Sequence, residues 1–293
     1  ESIISNYSIF VRYQNTIMFT YLKNSFARKI ARRVTKEYPP IIDHLNMSQY
    51  GEIDFANWSS PLAPKITLNE ATVAFFNQFI KAGDLAIDIG ANIGDTTVPM
   101  ALCTGMTGIT IGFDPNPYVF KILETNANLN KDKYVIHPHR CAISATPKSF
   151  YYISSEASFG NGAISETRDS KHGKFVFDGM VEGIHLKTFL ETKYASMIQK
   201  LSFIKIDTEG YDKEIIKSIS DLLQAYKPVI VAESFGKASE AAKVELFEVI
   251  KNNGYDIFYF ADFDINATVI ELKVPADLVN YSQTINVYAV PQK

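Results

Sequence analysis

The chain has 293 residues, 46% apolar and 21% charged, with a net charge of −3. That is globular composition with enough apolar side chains for a sizeable core, in one large domain or one domain with an added segment. It excludes a dominant nucleic-acid surface, and no apolar run is long enough for a membrane-spanning helix.

The first 40 residues are basic: seven Lys/Arg stand against Glu1 and Glu37, a balance of +5, which leaves −8 for the rest. Residues 3–36 read as one or two amphipathic helices, with Ile9, Phe10, Tyr13, Ile17 and Tyr21 able to share a face ahead of a basic cluster at 28–33. Such a helix can lie on an anionic membrane surface; packing against its own domain with the charges solvated is the commoner outcome and the expectation here. The first residue is Glu1 rather than Met, which leaves room for a natural N-terminus or a targeting signal upstream. Residues 38–65 contain four prolines and the only tryptophan, Trp58, and are expected to be irregular. The spacing of Val73, Phe76 and Ile80 predicts a helix over 67–81, ended by Gly83. The natural division is a helical and irregular segment over 1–82 and a main domain over 83–293.

Alternation begins there. Strands are predicted at 85–89, 109–113 and 134–137, with helices at 95–104 and 117–130. Residues 145–185 break the pattern with two strand-like runs around a polar Gly/Ser stretch at 154–173. It resumes with strand 201–206, helix 211–225, strand 229–232 and helix 238–253, and closes on strands near 255–260 and 285–290. A βα array ending in a strand pair argues for an α/β fold with a mainly parallel sheet and an antiparallel last strand. Two cysteines, Cys103 and Cys141, imply no disulfide framework and fit a reducing, cytoplasmic setting.

Two motifs carry chemistry. Leu85 to Asp95 is a buried strand running into a glycine turn and a helix, and Asp114 follows at the end of the next strand. Strand, glycine turn, helix, strand and acid form the layout of a nucleoside-cofactor site, with the acid placed to accept the ribose hydroxyls. A dinucleotide fits poorly. Asn92 stands where a pyrophosphate needs glycine, and Asp95 places negative charge at the helix start. Asp88 adds another acid. S-adenosylmethionine, with an ammonium and a sulfonium and no phosphate, suits this acid-rich turn. Asp88, Gly90, Asn92, Gly94 and Asp114 are therefore the expected cofactor residues, Gly90 sitting where a side chain would collide with the cofactor. Ala142, just after the third strand, is the expected adenine neighbour.

The second motif is Leu201 to Asp212, where a strand delivers Asp207 and Glu209 ahead of Gly210. Glu233 ends the next predicted strand. Acids converging on one rim can supply a general base, Asp207 first and Glu209 second. The three together can instead hold Mg²⁺. The plainer alternative is that Asp207 and Glu209 cap the following helix. The orientation of Lys205 is open. The polar stretch 154–173, with Asn161 and His172, and the segment near Trp58 are candidates to shape an acceptor pocket. His137 and His139 are expected to be loop residues rather than bases.

Together the motifs Asp88-Ile89-Gly90-Ala91-Asn92-Ile93-Gly94, Asp114-Pro115-Asn116-Pro117, Lys205-Ile206-Asp207-Thr208-Glu209-Gly210-Tyr211 and Pro228 to Glu233 resemble the FkbM family of S-adenosylmethionine-dependent methyltransferases. The resemblance implies a Rossmann-like class I methyltransferase fold with a seven-stranded sheet, and it adds Asn116 to the cofactor residues. It also implies O-methylation of a hydroxyl on a sugar, glycan or secondary metabolite. Two positions depart from the family pattern: Asp114 stands where Glu is usual, and Lys187 where an acid follows the leucine. The competing readings are an NAD(P)-dependent oxidoreductase and a non-catalytic binding module of the same fold. The acceptor and the oligomeric state are not written in the motifs.

Overall fold

The computed structural model describes residues 22–160, 162–169, 173–208 and 210–292. The expected N-terminal face from Ile9 to Tyr21 lies outside them, as do Asn161, His172 and Glu209. The chain enters as helix α1 over 22–31. The stretch expected to be irregular is instead an antiparallel hairpin of β1 (Pro40–Met47) and β2 (Gly51–Trp58), in register from Pro40 opposite Trp58 to Met47 opposite Gly51. The prolines misled because they stand at the ends of the hairpin. Pro40 is the first residue of its strand, and Pro61 and Pro64 follow β2, so none removes an interior ladder bond. The hairpin is tied to the domain by asparagines. Asn126 accepts from the Ala56 N–H at 2.7 Å and donates to the carbonyls of Ala56 and Ile93. Asn130 treats Asp54 in the same way.

Helix α2 (Glu70–Asn77) starts where Asn69 accepts from the Thr72 N–H at 2.8 Å. Then come β3 (Leu85–Ile89), α3 (Thr97–Thr104), β4 (Ile109–Phe113), α4 (Val119–Asn128) and β5 (Ile136–His139). An insert follows: β6 (Ala142–Ile143), β7 (Lys148–Ser154), β8 (Gly162–Ser165) and β9 (Phe175–Ile184) form a separate sheet in the order β6-β9-β7-β8. After α5 (Leu186–Lys193) the alternation returns with β10 (Leu201–Ile206), α6 (Asp212–Ser218), α7 (Ser220–Tyr226), β11 (Val229–Ser234) and α8 (Glu240–Asn252). The helix expected over 211–225 is thus two, parted at the fully buried Ile219. The chain closes with β12 (Tyr255–Phe260), β13 (Val269–Leu272), the short α9 (Pro275–Val279) and β14 (Ile285–Pro291).

The main sheet runs β13-β12-β14-β11-β10-β3-β4-β5. Strands β11, β10, β3, β4 and β5 are parallel, and β14 lies antiparallel between β11 and β12. This is the expected class I methyltransferase sheet of seven strands, with β13 added at its edge. Three of the four β13 residues are exposed, so the sequence carries no burial pattern there. The order reverses between β3 and β10, which opens a crevice beyond their carboxyl ends.

Alternation along β3 divides the core. Leu85, Ile87 and Ile89 pack with Ile215, Ile216 and Leu222 on one face. Ala86 and Phe203 pack with Val98, Phe76 and the hairpin's Phe55 on the other. Asp88 and Lys205 fall on this second face and are opposite one another in the parallel register.

Candidate active site

The turn after β3 is stapled to both neighbouring strands. The N–H groups of Gly90 and Ala91 donate to the Phe113 carbonyl at 2.9 and 3.0 Å, and the Asp207 N–H donates to that of Ile89 at 3.0 Å. Gly90 has φ +78°, and a Cβ there would lie 1.9 Å from the Asp207 carbonyl oxygen. A side chain at Gly90 is therefore already forbidden by the backbone just past β10, apart from any ligand. Asn92 also takes a left-handed conformation, φ +48°, which Asn tolerates better than most residues. Gly94 is set by packing rather than by the cavity: a Cβ there would meet Leu123 at 3.2 Å.

Asp88 is fully buried beneath this turn. One carboxylate oxygen accepts from the hydroxyls of Thr96 and Thr97, both at 2.7 Å, and the other faces the Lys205 ammonium at 3.2 Å. It is absent from the cavity wall. Its work is to hold the turn, a role the sequence did not separate from ligand contact. Lys205, 3% exposed, also stands 3.3 Å from Asp207 and 3.5 Å from the Gly90 carbonyl. Burial alone would lower its pKa; the carboxylates of Asp88, Asp207 and Asp95 outweigh burial and hold the ammonium well above the ordinary lysine value.

Asp114 reaches the crevice from the end of β4. Its two oxygens accept the N–H groups of Asn92 and Asn116, each at 2.8 Å. Burial pushes its carboxyl up to about 7 despite those two bonds. Asn116 borders the cavity, but its side chain is already committed. It donates to the Phe159 carbonyl at 2.6 Å and accepts from the N–H groups of Tyr118 and Val119 at the start of α4.

These strand ends open onto a cavity of about 630 Å³. Gly90, Asn92, Asp114, Asn116, Ala142 and Asp207 all border it, so six of the sequence-derived residues converge. The far wall comes from the insert, through Phe150, Tyr152, Gly160, Gly162 and Ile164. A second cavity of about 250 Å³ lies between Trp58, Leu62 and Glu156 and shares Asn92, Asp95 and Gly160 with the first. Asp95 was not among the expected site residues, although its place at the helix start was the available signal. Burial pushes it up to about 6, with Lys205 opposing and the Asp88 and Asp207 carboxylates adding.

The second motif divides its labour. Asp207 borders the cavity with 39% of its side chain exposed. The start of α6 carries no side-chain cap; instead Asp212, its first residue, anchors the loop by accepting from the Thr208 hydroxyl at 2.8 Å and from the Glu233 N–H at 2.9 Å. Burial pushes Asp212 up to about 6. Of the three expected Mg²⁺ ligands, Asp207 is paired with Lys205, Glu233 does not border the cavity, and Glu209 is outside the described residues. Among the described residues no group of three His, Cys, Asp or Glu side chains is set to hold a metal ion.

His137 and His139 are strand residues of β5 rather than loop residues. Both face the Tyr194 hydroxyl, at 2.9 and 3.0 Å. Burial, helped by Lys193 and His137, pulls His139 down to about 4, so it is neutral at pH 7. Burial likewise pushes the thiols of Cys103 and Cys141 up to about 12, which makes them poor nucleophiles.

The crevice at the β3/β10 order reversal, the glycine turn after β3 and the acid at the end of β4 share one rim of an α/β sheet in the class I methyltransferase strand order. Residues 88–257 match the family described as the methyltransferase FkbM domain, and the chain belongs to that family. No curated protein matches the chain significantly. Among solved structures, it is similar to a methyltransferase FkbM from Methylobacillus flagellatus, at 12% identity over 74% of this chain and 50% of that one, TM-score 0.42. A S-adenosylmethionine-dependent O-methyltransferase from Thermotoga maritima is 10% identical over 87% and 78%, TM-score 0.41. Aeropyrum pernix fibrillarin with natively bound S-adenosyl-L-methionine is 10% identical over 88% and 97%, TM-score 0.40. These likenesses are remote; membership rests on the domain match.

Proposed function

We propose that the protein transfers a methyl group from S-adenosylmethionine to a hydroxyl of a sugar, glycan or secondary metabolite. The observation that carries this reading is the charge of the cavity. Among the described residues Asp95, Asp114, Glu166 and Asp207 border it against a single cation, Lys205, which is already shared between Asp88 and Asp207. Such a wall attracts a ligand bearing an ammonium and a sulfonium and repels a pyrophosphate, which speaks against NAD(P).

When bound, the cofactor supplies an activated methyl group. The chain's own residues then have three tasks. Asp114, oriented by two main-chain N–H groups, accepts the ribose hydroxyls, each charge-assisted bond contributing about 1.5–3 kcal/mol. The insert's aromatic wall excludes water and orients the acceptor. Asp207, partly exposed and in the cavity wall, takes the proton that the acceptor oxygen releases as it is alkylated.

Calorimetric titration with S-adenosylhomocysteine, with NAD in parallel, tests the cofactor. A panel of hydroxylated acceptors with isotopically labelled S-adenosylmethionine, read by mass spectrometry, tests the transfer. Micromolar binding of S-adenosylhomocysteine alone and label on oxygen are expected. Binding of NAD alone, or label on nitrogen or carbon, overturns the reading.

A further inference from the structure

Helix α1 buries only Ala31 of its ten described residues. Leu22, Phe26 and Ile30 are 56%, 66% and 38% exposed, and Val34 just beyond the helix is 53% exposed. At about 100° per residue the three helical positions share an arc of about 80°, and Ala31 points about 140° away from Phe26. The stripe of Leu22, Phe26 and Ile30 is thus turned away from the domain. On the same wheel Lys23 and Lys29 lie about 60° to either side of Phe26. Residues 22–36 hold six Lys/Arg and no acid. None of the six forms an ion pair among the described residues.

A stripe of large apolar side chains flanked on both sides by lysines matches the boundary of an anionic bilayer. The apolar groups enter the acyl region, and the ammonium groups reach back to the phosphates. We propose that α1 docks the protein on an anionic membrane surface, Leu22, Phe26 and Ile30 inward and Lys23 and Lys29 at the phosphate level. The rest of the chain, at −8 beyond residue 40, is repelled by such a surface, so the contact also orients the molecule. The basic end of α1 is joined to the segments around the second cavity. Arg28 Nε donates to the Pro61 carbonyl at 3.3 Å, and the Ala157 N–H donates to the Arg32 carbonyl at 3.2 Å. Docking therefore brings that cavity, between Trp58, Leu62 and Glu156, close to the lipid. This inference stands apart from the methyltransferase reading.

The test sediments the full chain with sucrose-loaded vesicles of phosphatidylcholine alone, or with about one third phosphatidylglycerol. Sedimentation with the anionic vesicles only, reversed by high salt, is expected. The paired variants Phe26→Ser/Ile30→Ser and Lys23→Glu/Lys29→Glu should each weaken it about tenfold or more, with the wild-type melting temperature retained. Absence of binding to anionic vesicles overturns the proposal, as does equal binding to neutral ones. So does wild-type binding by a folded paired variant. A dimer that Phe26→Ser/Ile30→Ser splits, without vesicle binding, would give the stripe to a second copy of the chain and overturn the lipid assignment.

Discussion

At the carboxyl ends of β3, β4 and β10, polar atoms are spent on the surrounding turns, the start of α3 and a neighbouring strand: Asp88 on Thr96, Thr97 and Lys205, and Asp114 on the Asn92 and Asn116 amides. Across the cavity the insert offers Phe150, Tyr152 and Ile164 between glycines. One side is held by hydrogen bonds that place charge; the other is a surface whose shape decides what fits. Under the proposed function the rim meets the cofactor and the insert meets the acceptor. The difference also separates the mutational phenotypes expected on the two sides.

The severest way to break the rim is Gly90→Ala. Its Cβ meets a main-chain oxygen at 1.9 Å in a left-handed conformation, so neither partner can yield cheaply. A stability loss of roughly 3 kcal/mol or more is expected in urea denaturation. Asp207→Asn should lower turnover about 100-fold or more while leaving S-adenosylhomocysteine affinity within about threefold. Full activity would remove Asp207 from catalysis.

Asp114→Ala should weaken S-adenosylhomocysteine binding about 10- to 100-fold in calorimetry. The wild-type affinity should also fall as pH drops through about 7, where Asp114 takes up a proton. Asp114→Asn should flatten that profile. The same group sets a stability trend. Its folded pKa lies above the unfolded value, so between about pH 4 and 7 the native state binds the extra proton, and the contribution of Asp114 to stability declines as pH rises. Asp114→Asn, which cannot titrate, should remove that part of the decline between about pH 4 and 7, read in paired denaturation curves.

On the insert side, Ile164→Trp should raise the acceptor KM about tenfold and leave S-adenosylhomocysteine affinity unchanged. A matching loss of cofactor affinity would show that the two walls are not separate.

Much of this was readable along the chain. The apolar runs 85–89, 109–113 and 201–206 are strands at those positions because a strand buried on both faces leaves a continuous hydrophobic signature. Asp114 and Asp207 were legible because each terminates such a run. Tertiary structure decided what depends on partners distant in sequence. Lys205 is a clamp on Asp88 only because parallel pairing sets two strands 117 residues apart in register. Gly90 is required by the backbone of another strand. The hairpin at 40–58 forms where prolines argued against it, because Asn126 from α4 and Asn130 just beyond it satisfy the backbone of β2. The outward turn of Phe26 is of the same kind: periodicity gives a helix its apolar face, and only the packing of the whole chain decides which way that face points.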